Sequence, residues 1–253
     1  MSQVAAPSKG TRPDGATSEA DASRKVREMF TQIAPRYDLL NHLLSLQLDR
    51  VWRARTARKL RPILDGPDAV VLDLCCGTGD LAFALKRKGK ARVIGADFAH
   101  TMLVRANLKS AAELNNSIPF LESDALQLPF ADESFDLVTA AFGFRNLANY
   151  EAGLREMKRV LKPAGTMGIL EFTEPPAGPF GDFYRWYFRK LLPKVGGAIS
   201  GDAAAYKYLP SSVARFFRPE ELCELMRSVG LQRVEAAVWT GGTVALHTGV
   251  KAE

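Results

Sequence analysis

The chain has 253 residues, 47% hydrophobic and 25% charged, with a formal net charge of +6. That balance excludes a disordered or fibrous protein and suits one large globular domain, and no apolar run approaches the roughly 18 residues that would cross a membrane. The 34 basic residues are spread rather than massed, so charge alone selects none of nucleic acid, an acidic membrane surface or an anionic cofactor.

Residues 1–22 mix Ala, Ser, Gly, Pro and charge without apolar periodicity, and lack the basic-then-apolar pattern of a signal peptide. They read as a disordered tail before a single domain over 23–253. Val26, Met29, Phe30 and Ile33 then recur at i, i+3, i+4, i+7, one face of a helix that starts near Arg24 and that Pro35 interrupts. The run YDLLNHLLSLQLDRVWR, 37–53, is leucine-rich but broken by Asp38, Asn41, His42, Ser45 and Asp49 on more than one face. A helix that only covers a core sends its polar groups to solvent. This segment is therefore either a broken surface helix or the lining of a pocket, part of an N-terminal helical lid over 24–60.

After the turn-like DGPD at 65–68 the texture changes. AVVLDL (69–74) reads as a buried strand, CCGTG as a tight glycine turn and DLAFALKRKG as a helix stopped by Gly89. Cys75 and Cys76 form no CxxC pair with each other or with Cys223, which argues against a disulfide framework or structural zinc and fits a reducing cytoplasm. ARVIGAD (91–97), a helix from His100 to Leu114, IPFLESD (118–124), FDLVTAAF (135–142), a helix from Tyr150 to Leu161, the KPAG turn and TMGILEF continue the alternation. Strands alternating with helices imply right-handed crossovers and a parallel sheet covered on both faces. Such sheets bind ligands at the carboxyl ends of their strands.

Residues 173–217 break the rhythm with TEPPAGPFG and the aromatic-basic DFYRWYFRKLLPK, an insertion that reads as a lid helix or a membrane-surface element. RPEELCELMRSVG has Pro219 in its first turn and Gly230 as a stop. LQRVEAAVWT and TVALHTGVK, joined across Gly241-Gly242, predict a closing hairpin.

The main chemical signal is DLCCGTGDL, 73–81, at the junction of the first strand and helix. Glycines there let a ligand approach backbone amides at a helix N-terminus. Asp97, twenty residues past Gly77 at the end of the second strand, is placed to accept from both ribose hydroxyls of an adenosine group. Dinucleotides and S-adenosylmethionine both satisfy this pairing, and a ligand-free turn is the bland alternative. The absent third glycine disfavours a pyrophosphate, and the acidic Asp73 suits the amino group of a methionine moiety. After the third strand, Asp124 and Ala125 offer a carboxylate and an amide to an adenine edge, or else form a solvated turn.

With GTGD, Asp97, DALQLPFADESFDLVT and RVLKPAG in view, the chain resembles class I S-adenosylmethionine-dependent methyltransferases. YDLLNHLLSLQLDRVWR, AAFGFRNL (140–147), RVLKPAGTMGILEF and the closing TGGTVALHTGVK are similar to the ubiquinone/menaquinone biosynthesis C-methyltransferases, over residues 24–250. The resemblance implies a doubly wound Rossmann-like α/β fold: seven strands, mostly parallel, with the antiparallel C-terminal hairpin. It implies that Gly77, Thr78, Asp97, Asp124 and Ala125 bind S-adenosylmethionine without a metal. Asp124 and Ala141 depart from some members, which carry Asn and Ser there, and Ala141 has no side-chain hydrogen bond to give.

The implied reaction is C-methylation of a demethylated, prenylated quinol, either demethylmenaquinol or its benzoquinol counterpart. Tyr37, Asp38, Asn41 and His42 would face the substrate from the lid. Arg145 and Asn146 would approach from beneath, Arg145 stabilising a phenolate and His42 acting as base or relay. His42 has a plain alternative as a helix-packing histidine, and Tyr37 and Asp38 as a cap or staple. Partners and location follow: a quinol, transient contact at the inner face of the membrane from the cytoplasm, no nucleic acid, and a homodimer left open. Another small phenol or a sterol is the main rival substrate. A nucleic-acid methyltransferase is disfavoured because FGFRN stands where amino-directed ones carry a proline-proline-aromatic motif, and a non-catalytic module because the glycine loop and Asp97 are intact.

Overall fold

Val70 to Leu74 form strand β1, with both faces of the strand covered. This is why the run reads as continuously apolar rather than alternating. The protein was described from a computed structural model, which covers residues 10–38, 42, 45–187, 190 and 203–253. Around β1 the sheet adds β2 (Arg92–Asp97), β3 (Phe120–Glu122), β4 (Phe135–Ala141), β5 (Leu161–Phe172), β6 (Leu231–Trp239) and β7 (Val244–Lys251). The seven strands lie in the order β3-β2-β1-β4-β5-β7-β6. Pairing is parallel from β3 through β5, and β7 runs antiparallel to both β5 and β6. The chain leaves β1 toward β2 on one side and returns as β4 on the other, so a crevice opens at their carboxyl ends.

The helices are α1 (Glu19–Ile33), α2 (Leu48–Lys59), α3 (Arg61–Leu64), α4 (Asp80–Lys86), α5 (His100–Leu114), α6 (Tyr150–Val160), α7 (Pro179–Trp186), α8 (Ala203–Arg215) and α9 (Pro219–Ser228). Two apolar layers hold them to the sheet. Val71, Val93 and Leu137 pack with Leu60, Leu64 and Phe83 on one face. Leu72, Val138 and Met167 pack with Leu154, Met157 and Leu222 on the other. Adjacent β1 residues thus feed opposite layers, as a pleated strand requires.

Two expectations are corrected here. Residues 10–22 are not a disordered tail: α1 begins at Glu19, and the Ser18 hydroxyl caps it by accepting from the Asp21 amide. Before the helix, the Thr11 amide donates to Leu147 O at 2.8 Å and Arg12 Nη1 to Ala148 O at 2.8 Å. Order here comes from capping and from backbone partners remote in sequence, neither of which has an apolar period. The KPAG segment is likewise no separate turn but a bulge within β5, where Phe135 pairs Leu161 and Leu137 pairs Thr166. Ala164 takes a φ of +59° there, absorbing the extra residues.

Replacing Ser18 by Ala should cost about 1 kcal/mol of stability in urea denaturation. A helix beginning at Arg24 would leave the midpoint unchanged.

Candidate active site

The loop after β1 is bent by three residues in left-handed conformations: Cys75 (φ +50°), Gly77 (+55°) and Gly79 (+88°). At Gly79 a Cβ would also lie 2.9 Å from the Phe120 ring, so only glycine fits. Asp97, at the end of β2, braces this loop. Its Oδ2 accepts from the Gly77 amide at 2.9 Å and its Oδ1 from the Ala99 amide at 2.8 Å. Burial holds its pKa above the ordinary value against those hydrogen bonds. A carboxylate has about four lone-pair sites, so these bonds leave capacity for a ligand's hydroxyl.

A cavity of about 670 Å³, mouth included, opens beside Asp97. Gly77, Asp97, Asp124, Ala125, Tyr37 and Asn146 all line it. Asp124 is exposed, and its Oδ1 accepts from the Leu126 amide at 2.9 Å. That bond turns the loop so that Ala125, buried, sits against the cavity.

A second cavity, about 300 Å³, shares Tyr37, Cys75 and Gly77 with the first and adds Arg53, Asp73, Thr78 and Asp80. Asp73 is fully buried. The Thr139 hydroxyl donates to its Oδ1 at 2.8 Å, and its Oδ2 has no hydrogen-bond partner among the described residues. Burial outweighs the hydroxyl and the nearby Ala82 amide and pushes the Asp73 pKa up to about 7. Beside it Arg53, also buried, donates to Asp49 and lies 3.5 Å from Asp80 Oδ2. Burial opposes its charge, but Asp80 and Asp49 outweigh burial and keep its pKa above the ordinary value. A buried acid and a buried guanidinium, the latter paired with Asp49 and Asp80, thus line one space.

The lid's polar residues pair with the glycine loop, with α5 and with one another. Thr78, of the glycine loop, gives its hydroxyl hydrogen to Asp38 of the lid. Lys109 Nζ on α5 bridges Asp38 Oδ2 (3.1 Å), Thr78 Oγ1 (3.3 Å) and Asp80 Oδ1 (2.5 Å). His42 Nδ1 lies 2.8 Å from Asp49 Oδ2, and Ser45 donates to Asp49 Oδ1 at 2.5 Å. His42 lines neither cavity described here. The network ties lid, glycine loop and α5 together, and its polar groups occupy several faces because their partners do. His42, Asp49 and Asp80 lie close enough to share a metal ion, but Arg53 already holds both carboxylates, and a dication there would meet a buried cation. Asn41 and the leucines at 39, 40, 43 and 44, expected to line the substrate, lie outside the described residues.

Arg145 and Asn146 follow β4 in a short turn, Phe144–Asn146. Arg145 is buried and donates from Nη1 to Glu171 Oε1 (2.6 Å) and Phe142 O (2.5 Å). Its amide adds a bond to Glu171 Oε2 at 3.2 Å. It lines neither cavity, and its charge is paired with Glu171. Asn146 reaches the large cavity, and its Oδ1 accepts from the Tyr208 hydroxyl at 3.0 Å. Sequence reasoning missed Arg53, Lys109, Glu171 and Tyr208 as site residues. Only Glu171, an acid inside the apolar run GILEF, left a visible signal.

The strand order, glycine loop and braced aspartate are those of S-adenosylmethionine-dependent methyltransferases. The fold matches such an enzyme from Thermotoga maritima, described as a possible histamine N-methyltransferase, at a TM-score of 0.62 and 21% identity, covering 88% of this chain and 99% of that one. A putative one from Methanococcus maripaludis matches at 0.56 and 18%, covering 97% and 98%. The model of the ubiE/COQ5 methyltransferase family matches residues 18–251. The chain belongs to that family. It is similar to the demethylmenaquinone methyltransferases of Thermus thermophilus, 50% identical over 87% of this chain and 99% of the relative, and of Deinococcus radiodurans, 47% over 91% and 94%. A ubiquinone/menaquinone biosynthesis C-methyltransferase of Geotalea daltonii is 39% identical over 91% and 98%.

Asp73 gives this site a pH signature. Its folded pKa of about 7 lies above the unfolded 3.8, so between those values the folded state binds the extra proton. Its contribution to stability is therefore full below the unfolded value and lost as pH rises through 7. Asp73→Asn should flatten the fall in stability from pH 4 to 8, followed by denaturation in a pH series; an unaltered slope would place the titration elsewhere.

Proposed function

We propose that this methyltransferase moves the methyl group of S-adenosylmethionine to a ring carbon of demethylmenaquinol, giving menaquinol. The observation that carries the reading is the pair of adjoining cavities, one with a ribose acceptor and one with a zwitterion receptor, that meet at Tyr37, Cys75 and Gly77. The unpartnered Asp73 Oδ2 supports an ammonium, Arg53 a carboxylate, and the spare lone pairs of Asp97 a ribose. Names of the relatives at 47–50% identity favour the naphthoquinol over the benzoquinol.

When bound, the sulfonium supplies an electrophilic methyl group. The chain's residues must then make a ring carbon nucleophilic, which means lowering a phenol pKa of about 10 toward neutrality. Asn146 and Tyr37, which both line the large cavity, hold the quinol oxygen. Arg145 stabilises the developing phenolate by its field while Glu171 holds it still. His42 acts through Asp49 on Arg53, so its role is to position the lid and the amino acid end of the cofactor. Phe142, at the cavity wall, keeps the meeting point poor in water.

The test is turnover of labelled S-adenosylmethionine with a short-chain demethylmenaquinol under reducing conditions. Labelled menaquinol is expected from the native enzyme. Asp97→Ala should weaken cofactor binding about 100-fold in calorimetry, as the loss of hydrogen bonds to a charged group worth ~3 kcal/mol. Intact cofactor binding with no quinol product would sink the substrate and keep the methyltransferase.

A prenylated quinol resides in the bilayer, and we assign its delivery to peripheral contact through α7, from the cytoplasmic side. Phe183 and Trp186 are 62% and 54% exposed and pack against each other at 5.9 Å, an amphipathic wedge of the kind that enters lipid interfaces. Among the described residues no helix is long and apolar enough to cross a membrane. Arg189, in the same aromatic-basic stretch, lies outside the described residues. Replacing Phe183 and Trp186 together by Ser should abolish sedimentation with anionic liposomes; equal sedimentation of variant and native protein would remove the contact.

A further inference from the structure

We infer that Tyr208 is a positioning residue for the reaction: with Thr11 behind it, its hydroxyl fixes the side-chain amide of Asn146 so that the amide presents hydrogen-bond donors to the substrate oxygen. The inference rests on the reading of Asn146 as a substrate contact. It comes from two stretches to which the sequence assigned no chemistry, the tail and the insertion.

The direction of the hydrogen bonds carries the argument. Tyr208 Oη is 3.0 Å from Asn146 Oδ1 and 2.7 Å from Thr11 Oγ1. A phenol has one hydrogen. An amide oxygen can only accept, so that hydrogen goes to Asn146, and Tyr208 must in turn accept from the Thr11 hydroxyl. The chain therefore runs Thr11 to Tyr208 to Asn146. With Oδ1 taking the Tyr208 hydrogen, the amide is held in one of its two orientations, and its two Nδ2 hydrogens are the donors it can offer at a residue that lines the large cavity. Two donors suit a quinol oxygen that gains negative charge as the ring is activated, and they would repel nothing in the uncharged ground state.

Thr11 is positioned for this by more than chance contact. It is 5% exposed, and its amide donates to Leu147 O. Arg12 donates to Ala148 O, and Arg215 on α8 donates to Arg12 O at 3.2 Å. At Gly10 a Cβ would lie 1.8 Å from Ala148 O, so the strap presses directly on the loop. Leu147 and Ala148 line the same cavity as Asn146. The strap, α8 and the 146–148 loop therefore form one wall. Burial raises the Tyr208 pKa, the Thr11 bond and Arg145 pulling the other way, so the phenol keeps its hydrogen at neutral pH.

A hydrogen bond that only stabilises the fold would behave differently from one that orients Asn146, and a double-mutant cycle separates the two. Tyr208→Phe removes the hydroxyl and keeps the ring. Its kcat for the quinol should fall about tenfold, the cost of one hydrogen bond, with the KM for S-adenosylmethionine and its affinity in calorimetry unchanged. Thr11→Val should fall less, in the same direction. In an Asn146→Ala background, Tyr208→Phe should cause no further loss, since there is no amide left to orient. Native kcat in Tyr208→Phe while Asn146→Ala is impaired would overturn the inference, and so would a full additional loss in the Asn146→Ala background. An Asn146→Ala enzyme with native kcat would overturn it by a different route, because Asn146 would then not touch the substrate.

Discussion

Two backbone hydrogen bonds to one carboxylate organise the functional end of this molecule. Asp97 takes the amide of Gly77 from the loop after β1 and the amide of Ala99 from its own. It thereby locks the ends of two neighbouring parallel strands into one surface. The constraint is stringent because the loop holds a non-glycine residue, Cys75, at positive φ, a conformation that persists only where the surroundings over-determine it. Cys75 is packed under Gly143, where a Cβ would come within 2.3 Å of its own. The first strand's loop is thus wedged between β2 and the segment after β4, and both cavities inherit their shape from that wedge.

Charge is handled unusually far inside. Arg53 with Asp49 and Asp80 and Arg145 with Glu171 are more than four-fifths buried, and Lys109 with Asp38 and Asp80 is largely so. Buried pairs of this kind add little net stability over apolar packing, yet losing one partner costs about 3–5 kcal/mol. Their value here is geometric. Arg145 is held by its own backbone amide, by Phe142 O and by Glu171, which fixes the turn carrying Asn146. The lid network does the same for Asp38 against Thr78 of the glycine loop.

Much of this was legible in the chain itself. Continuous apolar runs of five to seven residues, each followed by a helical period, announce a parallel sheet, because strands buried on both faces need no alternation. Gly77 and Asp97 announce that the loop after β1 meets the end of β2, since the sheet's parallel geometry carries both to the same edge. Local chemistry sufficed for these features: strand, turn and cap depend on residues within a few positions of one another.

The partners of the polar side chains were not legible, and the reason is physical. Thr11 and Tyr208 are 197 positions apart, Asp38 and Lys109 are 71, Arg145 and Glu171 are 26. A hydrogen bond is directional and short, so whether His42 meets a substrate or Asp49 depends on displacements of a few ångströms that no periodicity encodes. The sequence by itself determined the sheet, the glycine loop and the acid that braces it, because each follows from backbone conformation and apolar pattern. Only the tertiary structure decided that Asp38 of the lid holds Thr78 of the glycine loop, that Arg145 belongs to Glu171, and that an unpromising N-terminal segment packs behind Asn146, because those outcomes rest on contacts between elements that folding alone brings together.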